Sequence, residues 1–442
     1  MLKRLDAPGD RRAAQAEAPG VSHLAASLDD QGLRRSETRG CRACAAALDG
    51  PSLDLGALPV CNRFSAERRD LPRQPLVLVG CATCGLIQLR EPPAIALVTP
   101  EAAWIRYTEP QAHLDDLVES LLALRKSEGG LALGLGPFEA PLLERLARRG
   151  MRTEAPDLAA VEAGASPAGG DYPYLETWQA RLEAGRLGRL AQGVGAAAIL
   201  SCRYLLEHCH DPIASLQALR RLVDPDGLLV LEIPDSAKFL AAADYSFPWE
   251  EHVCYFVEAS FRDMVERAGY DVVALKRYPG LLEDALVILA RPSDAAAPRA
   301  ASRSRGPDPS FAAYRAAYPA TRAFAQSRLA DLAGPARDRV ALFGLGHQAV
   351  MFVNALGLAD FIGAAVDDDP HKRGLLPPGF ATRVTSSADL FENPAVATCL
   401  LAVNPASEPK VRAKLAPLAA RGVALHSIYA AAEGSILTGR PL

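Results

Sequence analysis

The sequence has no dominant charge, no long apolar span and no secretory leader. Its 48 Lys and Arg against 52 Asp and Glu leave a formal net charge of −4, which excludes a chain-wide nucleic-acid footprint. No apolar run is long enough to cross a bilayer. The opening MLKRLDAPGDRRAAQAEAPG is basic but has no apolar core, so it does not read as a secretory signal. No short-period repeat is visible. These absences predict a cytoplasmic protein with neither a membrane nor a nucleic acid as partner. What is present is an apolar share of 49 % over 442 residues, enough to bury the cores of two or three domains.

The nine cysteines are an odd number, and four of them form two C-x-x-C pairs. That pattern points to metal in a reducing compartment rather than to a disulfide framework. Cys41-Arg-Ala-Cys44 and Cys81-Ala-Thr-Cys84-Gly85 each let one tight turn present two sulfurs to one ion. Two such turns complete a closed tetrahedron of structural zinc, whose binding energy becomes folding energy. Two chance pairs buried as small hydrophobes are the plainer alternative. Cys61, between the knuckles, reads as a bystander.

Residues 1–38 lack sustained periodicity and read as a mobile, disordered tail. Residues 39–98 hold the knuckles and too little apolar sequence for a core without a staple. Residues 99–292 alternate helix and strand. GLALGLG reads as a strand running into a Gly turn and APLLERLARRG as the helix after it. AAAILSCRYLLEH reads as a strand entering a loop, and IASLQALRRLV as a helix stopped by the turn DPDG. LLVLEIPD and DALVILARP read as buried strands. That alternation implies a doubly wound, mostly parallel sheet. Residues 293–308 form a Pro/Ala/Ser/Arg linker, and residues 309–442 repeat the strand–Gly turn–helix pattern as a second Rossmann-like unit.

Four stretches carry a family resemblance. They are CRAC…LDLGALPVCNRF…CATCGLIQL (41–89), RYLLEHCHDPIASLQALRRLVDPDGLLVLEIPD (203–235), WEEHVCYF (249–256) and FGLGHQAVMFVNALGL…VDDDPHKRGLLPPG (343–379). In this order they resemble the zinc-containing, S-adenosylmethionine-dependent C-methyltransferases of deoxysugar biosynthesis, which methylate C3 of nucleotide-linked 4-keto sugars. The resemblance implies an α/β chain with a small N-terminal zinc-binding domain, a class I methyltransferase Rossmann-like domain and a second Rossmann-like C-terminal domain. It implies S-adenosylmethionine as cofactor beside structural zinc, and a small-molecule substrate of the sugar-nucleotide class used in secondary metabolite biosynthesis.

Methylation beside a ketone needs a base for the α-proton, and a His titrating near neutrality suits it. By resemblance that base is His252, with Glu251 as an acidic partner for the substrate or the base and Tyr107 as an aromatic residue lining the site. Trp249, where the family has Tyr, Tyr255, His347 and Lys372 are the residues implied for the substrate. A polar strand end or helix cap is the plain reading of Glu251 and His252. A packing residue is the plain reading of Tyr107, and a surface ion pair with Asp367, Asp368 or Asp369 that of Lys372.

For the methyl donor, a class I site needs a Gly turn after its first strand and an acid after its second. Gly134 and Gly136 supply the turn, Glu154 is the acid, and Glu207 with His208 follow a strand whose loop faces the cofactor in methyltransferases. The chain departs from the family at this point. Pro137 and Phe138 stand where an acidic residue and a further glycine are expected, and Pro lacks an N–H. Glu139 follows directly. Asp157 lies near Glu154, which is one residue out of register, and a one-residue slip turns a strand side chain to the other face. Leu282-Glu283-Asp284 replace a Gly-Gly-Ser turn that contacts the sugar, and His347 replaces a small residue. Three readings follow: a modified donor site, a less anionic acceptor, or a scaffold that has lost methyl transfer and serves a biosynthetic partner protein.

Overall fold

The computed structural model describes residues 40–68, 70–99, 101, 109–125, 129–156, 184–294 and 306–441. The predicted tail, most of the linker, Tyr107 and Asp157 lie outside them. The first strands, β1 (Ser52–Pro59), β2 (Arg73–Gly80) and β3 (Ile87–Leu89), form an antiparallel meander between and beyond the two cysteine knuckles. The apolar alternation of β1 puts Leu53 and Leu55 on the buried face.

The central domain contributes β4 (Leu131–Gly134), β5 (Arg152–Glu154), β6 (Ala197–Arg203), β7 (Val223–Asp235), β8 (Cys254–Tyr255), β9 (Tyr270–Tyr278) and β10 (Asp284–Pro292). Six of these form one sheet in the order β5-β4-β6-β7-β10-β9. β5, β4, β6 and β7 run parallel, and β10 is antiparallel to both of its neighbours. Strands β4, β6, β7 and β10 are near-continuous apolar runs because helices or neighbouring segments cover both faces. The chain moves outward from β4 to β5 on one side and returns to β6 on the other. That reversal opens a crevice at the carboxyl ends of β4 and β6, where open α/β sheets bind ligands.

The sequence motif DPDG was expected as a free turn. It is instead a bulge at the start of β7. Ala197 pairs with Val223 and Ile199 with Leu228, so four residues of β7 stand against one of β6.

The last sheet contains β11 (Val340–Phe343), β12 (Ala364–Val366), β13 (Val384–Thr385), β14 (Thr398–Leu401) and β15 (Ala424–Ser427) in the order β13-β12-β11-β14-β15, all parallel. Gly344, after β11, sits at φ +89°, and a Cβ there would lie 2.7 Å from the Ala402 carbonyl oxygen, so glycine is required. A 25-residue helix, Pro309–Ala333, precedes this sheet, capped by Asp308, whose carboxylate accepts from the Ser310 N–H at 2.8 Å. It runs through Pro319 without a break.

The helix joins the parts of the molecule. Phe311, Tyr314, Tyr318, Ala325 and Leu329 make one buried stripe. Phe311 lies over Gly80 of β2, where a Cβ would come within 2.9 Å of its ring. Tyr245 O–H donates to the Tyr314 carbonyl at 2.7 Å and Tyr314 O–H donates to the Asp244 carbonyl at 3.0 Å. One hydrophobic cluster therefore runs from Leu53 and Leu78 through Phe239 and Trp249 to Phe352 and Leu400, and residues Gly40–Leu442 form one unit. Among the described residues no helix is long and apolar enough to cross a membrane.

Phe311→Ala is expected to destabilise the chain by about 3–5 kcal/mol, because its ring fills a junction that glycine leaves open. Urea unfolding followed by tryptophan fluorescence checks it, and an unchanged midpoint would remove the helix from this bridging role.

Candidate active site

The two knuckles have the same backbone design. Cys41 N–H donates to the Ala46 carbonyl and Ala45 N–H to the Cys41 carbonyl. Cys81 N–H donates to the Leu86 carbonyl and Gly85 N–H to the Cys81 carbonyl. The residue after each second cysteine is left-handed, Ala45 at φ +59° and Gly85 at +79°. Cys41 Sγ lies 3.5 Å from Cys84 Sγ, and Cys44 Sγ lies 3.6 Å from Cys81 Sγ. All four sulfurs lie within 4.8 Å of one another, and the Gln88 amide donates to Cys41 Sγ at 3.2 Å. Four sulfurs converging around one centre, with an outer donor orienting one of them, fit a closed structural zinc site.

The zinc module also holds the chain segment that carries the predicted base. β3 pairs with β8, Ile87 against Tyr255 and Gln88 against Cys254, and Leu89 N–H donates to the Val253 carbonyl at 2.9 Å. Two side chains just before β8 reach back. Glu250 Oε1 accepts from the Cys61 N–H at 2.6 Å, and Glu251 Oε1 accepts from the Asn62 amide at 3.3 Å. Asn62 was missed by sequence reasoning, and its only signal was its place in the motif CNRF.

Around His252 the structure gathers most of the predicted residues. His208 lies edge-on to it at 4.7 Å between ring centroids, Trp249 at 5.3 Å and Tyr255 at 6.0 Å. His347, from the start of the C-terminal helix His347–Leu356, stacks on Trp249 at 4.2 Å. Glu207, His208 and His252 bring one ligand atom each within 4.8 Å of one another. His208 Nδ1–H donates to the Glu251 carbonyl at 2.8 Å, which leaves its Nε2 as a lone pair. Burial dominates the protonation of all three rings. It pushes His208 down to about 3, against the Glu251 hydrogen bond, and His347 down to about 4. His252 falls well below the usual histidine value through burial and then through its two histidine neighbours. All three are neutral at physiological pH and keep a nitrogen lone pair.

At the crevice between β4 and β6 the glycines have another use than the expected one. A Cβ on Gly134 would lie 2.6 Å from Glu139 Cβ, and one on Gly136 (φ +141°) 2.9 Å from the Leu205 side chain. The turn is therefore filled by this chain's own side chains at those two positions. Phe138 is buried edge-on to Tyr204 at 6.2 Å. Arg203, also missed by sequence reasoning, is buried at the end of β6. Its Nε donates to Glu232 at 2.5 Å and its Nη1 to the Phe138 carbonyl at 2.7 Å, while its backbone N–H donates to Glu139 Oε1 at 2.8 Å. Its signal was a charged residue closing an apolar strand. Glu232 is disfavoured as an anion by burial, but His113 at 2.8 Å and Arg203 hold it below the ordinary carboxylate range. Burial raises Glu109 and Glu139 to about 7. These carboxyls outnumber the cations beside them, and Glu207 Oε2 is buried with no hydrogen-bond partner among the described residues. Such a crevice fits a positively charged ligand, as the sulfonium and ammonium of S-adenosylmethionine provide.

Other predicted residues have different surroundings. Glu154 is half-exposed at the edge of the sheet, 3.6 Å from Arg152. Tyr255, expected at the substrate, spends its hydroxyl on the backbone of Trp249, accepting from its N–H at 2.9 Å and donating to its carbonyl at 3.0 Å. It shapes the site instead of offering a hydroxyl to a ligand. Lys372 is likewise committed, to Asp367 at 2.7 Å and the Leu345 carbonyl at 3.0 Å. Asp367 also accepts from the Leu345 N–H at 2.8 Å, so the Gly turn of the C-terminal unit is closed by its own acid and lysine.

A cavity of about 1040 Å³ lies between the central and C-terminal sheets, lined in part by Phe239, Phe247 and Tyr429. Phe239 meets Tyr255 edge-on at 6.0 Å, which links the cavity to the His252 cluster.

One zinc per chain is expected by metal analysis, and Cys81→Ala should lose it and more than about 4 kcal/mol of stability. Full zinc with two knuckle cysteines removed would refute the site. Glu207→Gln should raise the melting temperature relative to the wild type, with a gain growing from pH 5 to pH 8. Burial raises this carboxyl well above its ordinary value. The stability its protonated form contributes is therefore complete below the unfolded-state pKa and is lost as pH rises toward the folded one. A gain that is flat with pH would contradict the assignment.

Comparison with known proteins agrees with this layout. Residues 110–275 match a family model described as "Methyltransferase domain", and residues 41–95 match one described as "Putative zinc binding domain". C-methyltransferase NovU of Streptomyces niveus is 25% identical over 244 residues, 53% of this chain and 56% of that protein, so the match spans little more than half of the relative. Among solved structures, 1,6-didemethyltoxoflavin-N1-methyltransferase of Burkholderia thailandensis, with bound S-adenosylhomocysteine, is 17% identical over 42% of this chain and 80% of its own, with a TM-score of 0.28. Magnesium protoporphyrin IX methyltransferase of Synechocystis is 20% identical over 41% and 83%, with a TM-score of 0.29. Residues 41–95 are thus similar to a zinc-binding domain and residues 110–275 to a methyltransferase domain, and a C-methyltransferase is among the proteins this chain resembles.

Proposed function

We propose that the protein is a cytoplasmic C-methyltransferase acting on the carbon next to a ketone, in a nucleotide-linked keto sugar or a related biosynthetic metabolite. The observation that carries this reading is the convergence of His252, His208, Glu207, Trp249 and His347 from separate segments, with Tyr255 between His252 and Phe239 of the cavity wall.

His252 accepts the α-proton on its neutral imidazole. Its low proton affinity in the empty site reflects burial and two neighbouring histidines. The imidazolium formed during the reaction has the Glu207 carboxyl within 4.8 Å, and a carboxylate at that range favours the charged ring. His208 cannot share the proton through Nδ1, which is held by the Glu251 carbonyl. Trp249 packs beside the base and His347 stacks on Trp249, and Tyr255 fixes the loop that carries Trp249. When bound, S-adenosylmethionine supplies the electrophilic methyl group that the resulting carbanion takes up. A second reading, a scaffold without methyl transfer, draws on the packing of Glu139 and Leu205 into the glycine turn.

Thermal-shift measurements with S-adenosylmethionine and S-adenosylhomocysteine separate the two, because a surviving donor site raises the melting temperature in proportion to occupancy. No shift at millimolar ligand would leave the scaffold. His252→Ala is expected to cut turnover by about 10²–10⁴ while keeping the S-adenosylhomocysteine shift, and undiminished turnover would remove His252 from the role of base.

A further inference from the structure

The crevice carries more carboxyls than its cations can balance, and the imbalance has a centre. Arg203 and His113 lie against Glu232, and Glu139 accepts from the Arg203 N–H, so each has a cation or a backbone donor beside it, although Glu232 Oε1 and Glu139 Oε2 make no hydrogen bond among the described residues. The Arg203 guanidinium is directed elsewhere: Nε donates to Glu232, and Nη1 and Nη2 to the Phe138 and Pro110 carbonyls. Glu207 is left over. It is 2 % exposed, and its Oε2 has no hydrogen-bond partner among the described residues. Two imidazoles lie beside it. His208 Nε2 cannot donate, since the ring proton sits on Nδ1 against the Glu251 carbonyl, and a nitrogen of neutral His252 completes a set of three within 4.8 Å. Glu109 and Glu283 add negative potential from the segment before the helix Leu114–Leu124 and the turn before β10. Buried acceptors gathered without a cation are unfavourable when alone. A ligand that brings positive charge completes them.

We infer that Glu207, with the two histidines beside it, senses charge on the methyl donor, holding the sulfonium form and releasing the neutral thioether left after transfer. The inference rests on the methyltransferase reading above. In methyl transfer the C–S bond breaks and its electron pair stays on sulfur, while the carbanion pair left by proton removal to His252 forms the new C–C bond. The donor therefore goes from a net charge of +1 to zero in place. A carboxylate a few ångströms away loses its attraction at that moment, and in a site with little water this attraction is weakly screened. Such a site would speed product release, a step that limits many enzymes. Burial, which lifts Glu109 to about 7 and Glu283 to about 8, marks the same unmet demand for a cation.

Isothermal titration of the full zinc-loaded chain tests this with two unreactive probes. One is S-adenosylhomocysteine. The other is sinefungin, in which a protonated amine stands in place of the sulfonium. Sinefungin is expected to bind roughly tenfold tighter or more, and Glu207→Gln to bring the two affinities within about threefold. The glutamine keeps the shape and removes an unpaired buried charge, so the variant should fold. Glu109→Gln, further out, should narrow the ratio less. Equal affinities in the wild type overturn the inference and leave the methyltransferase reading standing. Binding of neither probe overturns both. A ratio unchanged in both variants removes these carboxyls from the role. A second equivalent of bound metal that disappears in His208→Ala would give the cluster to a metal ion and also overturn it.

Discussion

The pairing of β3 with β8 is the constraint on which the site depends. β8 is only two residues long, and a strand that short has no stability of its own. It is held because β3 belongs to a meander whose β2–β3 turn is the second cysteine knuckle, and because Cys61 and Asn62 bind Glu250 and Glu251 directly. The metal thus stabilises the place where His252 stands, not merely a peripheral module. A zinc site without an open coordination position contributes rigidity to chemistry that takes place elsewhere.

The C-terminal unit approaches the same segment from the other side. Its nucleotide-type turn is closed by Asp367 and Lys372, so its contribution to the site is mechanical: it presents His347 to Trp249 and forms one wall of the cavity. Trp249 and His347 both depart from the residues that the family resemblance implies, and they depart together. A larger ring on one side faces an imidazole on the other, with the two stacked. The two rings touch, so a change of volume at either one is felt by the other.

The donor crevice shows the same coordinated change. Pro137 and Phe138 remove the features expected of the turn, and Glu139 fills the space beside Gly134 while receiving the Arg203 N–H. Arg203 is bound in turn to Glu232 and to the Phe138 carbonyl. Buried charges of this kind persist when their hydrogen bonds are nearly all met. Glu207, unlike Glu232, makes no ion pair among the described residues.

The sequence by itself determined the elements and the metal. C-x-x-C spacing needs only local turn geometry, and the apolar runs of β4, β6, β7 and β10 needed only burial on both faces. It also named the residues that assemble around His252, because they lie in stretches whose order resembles a family. It could not show that DPDG is a bulge, that Tyr255 bonds to the Trp249 backbone, or that Lys372 is held by Asp367. Nor could it link Asn62 to Glu251, or Arg203 to Glu232, across 189 and 29 positions. Those partnerships are choices among many chemically equal donors and acceptors. Only the packed chain, in which each buried polar group must find a particular neighbour, makes the choice.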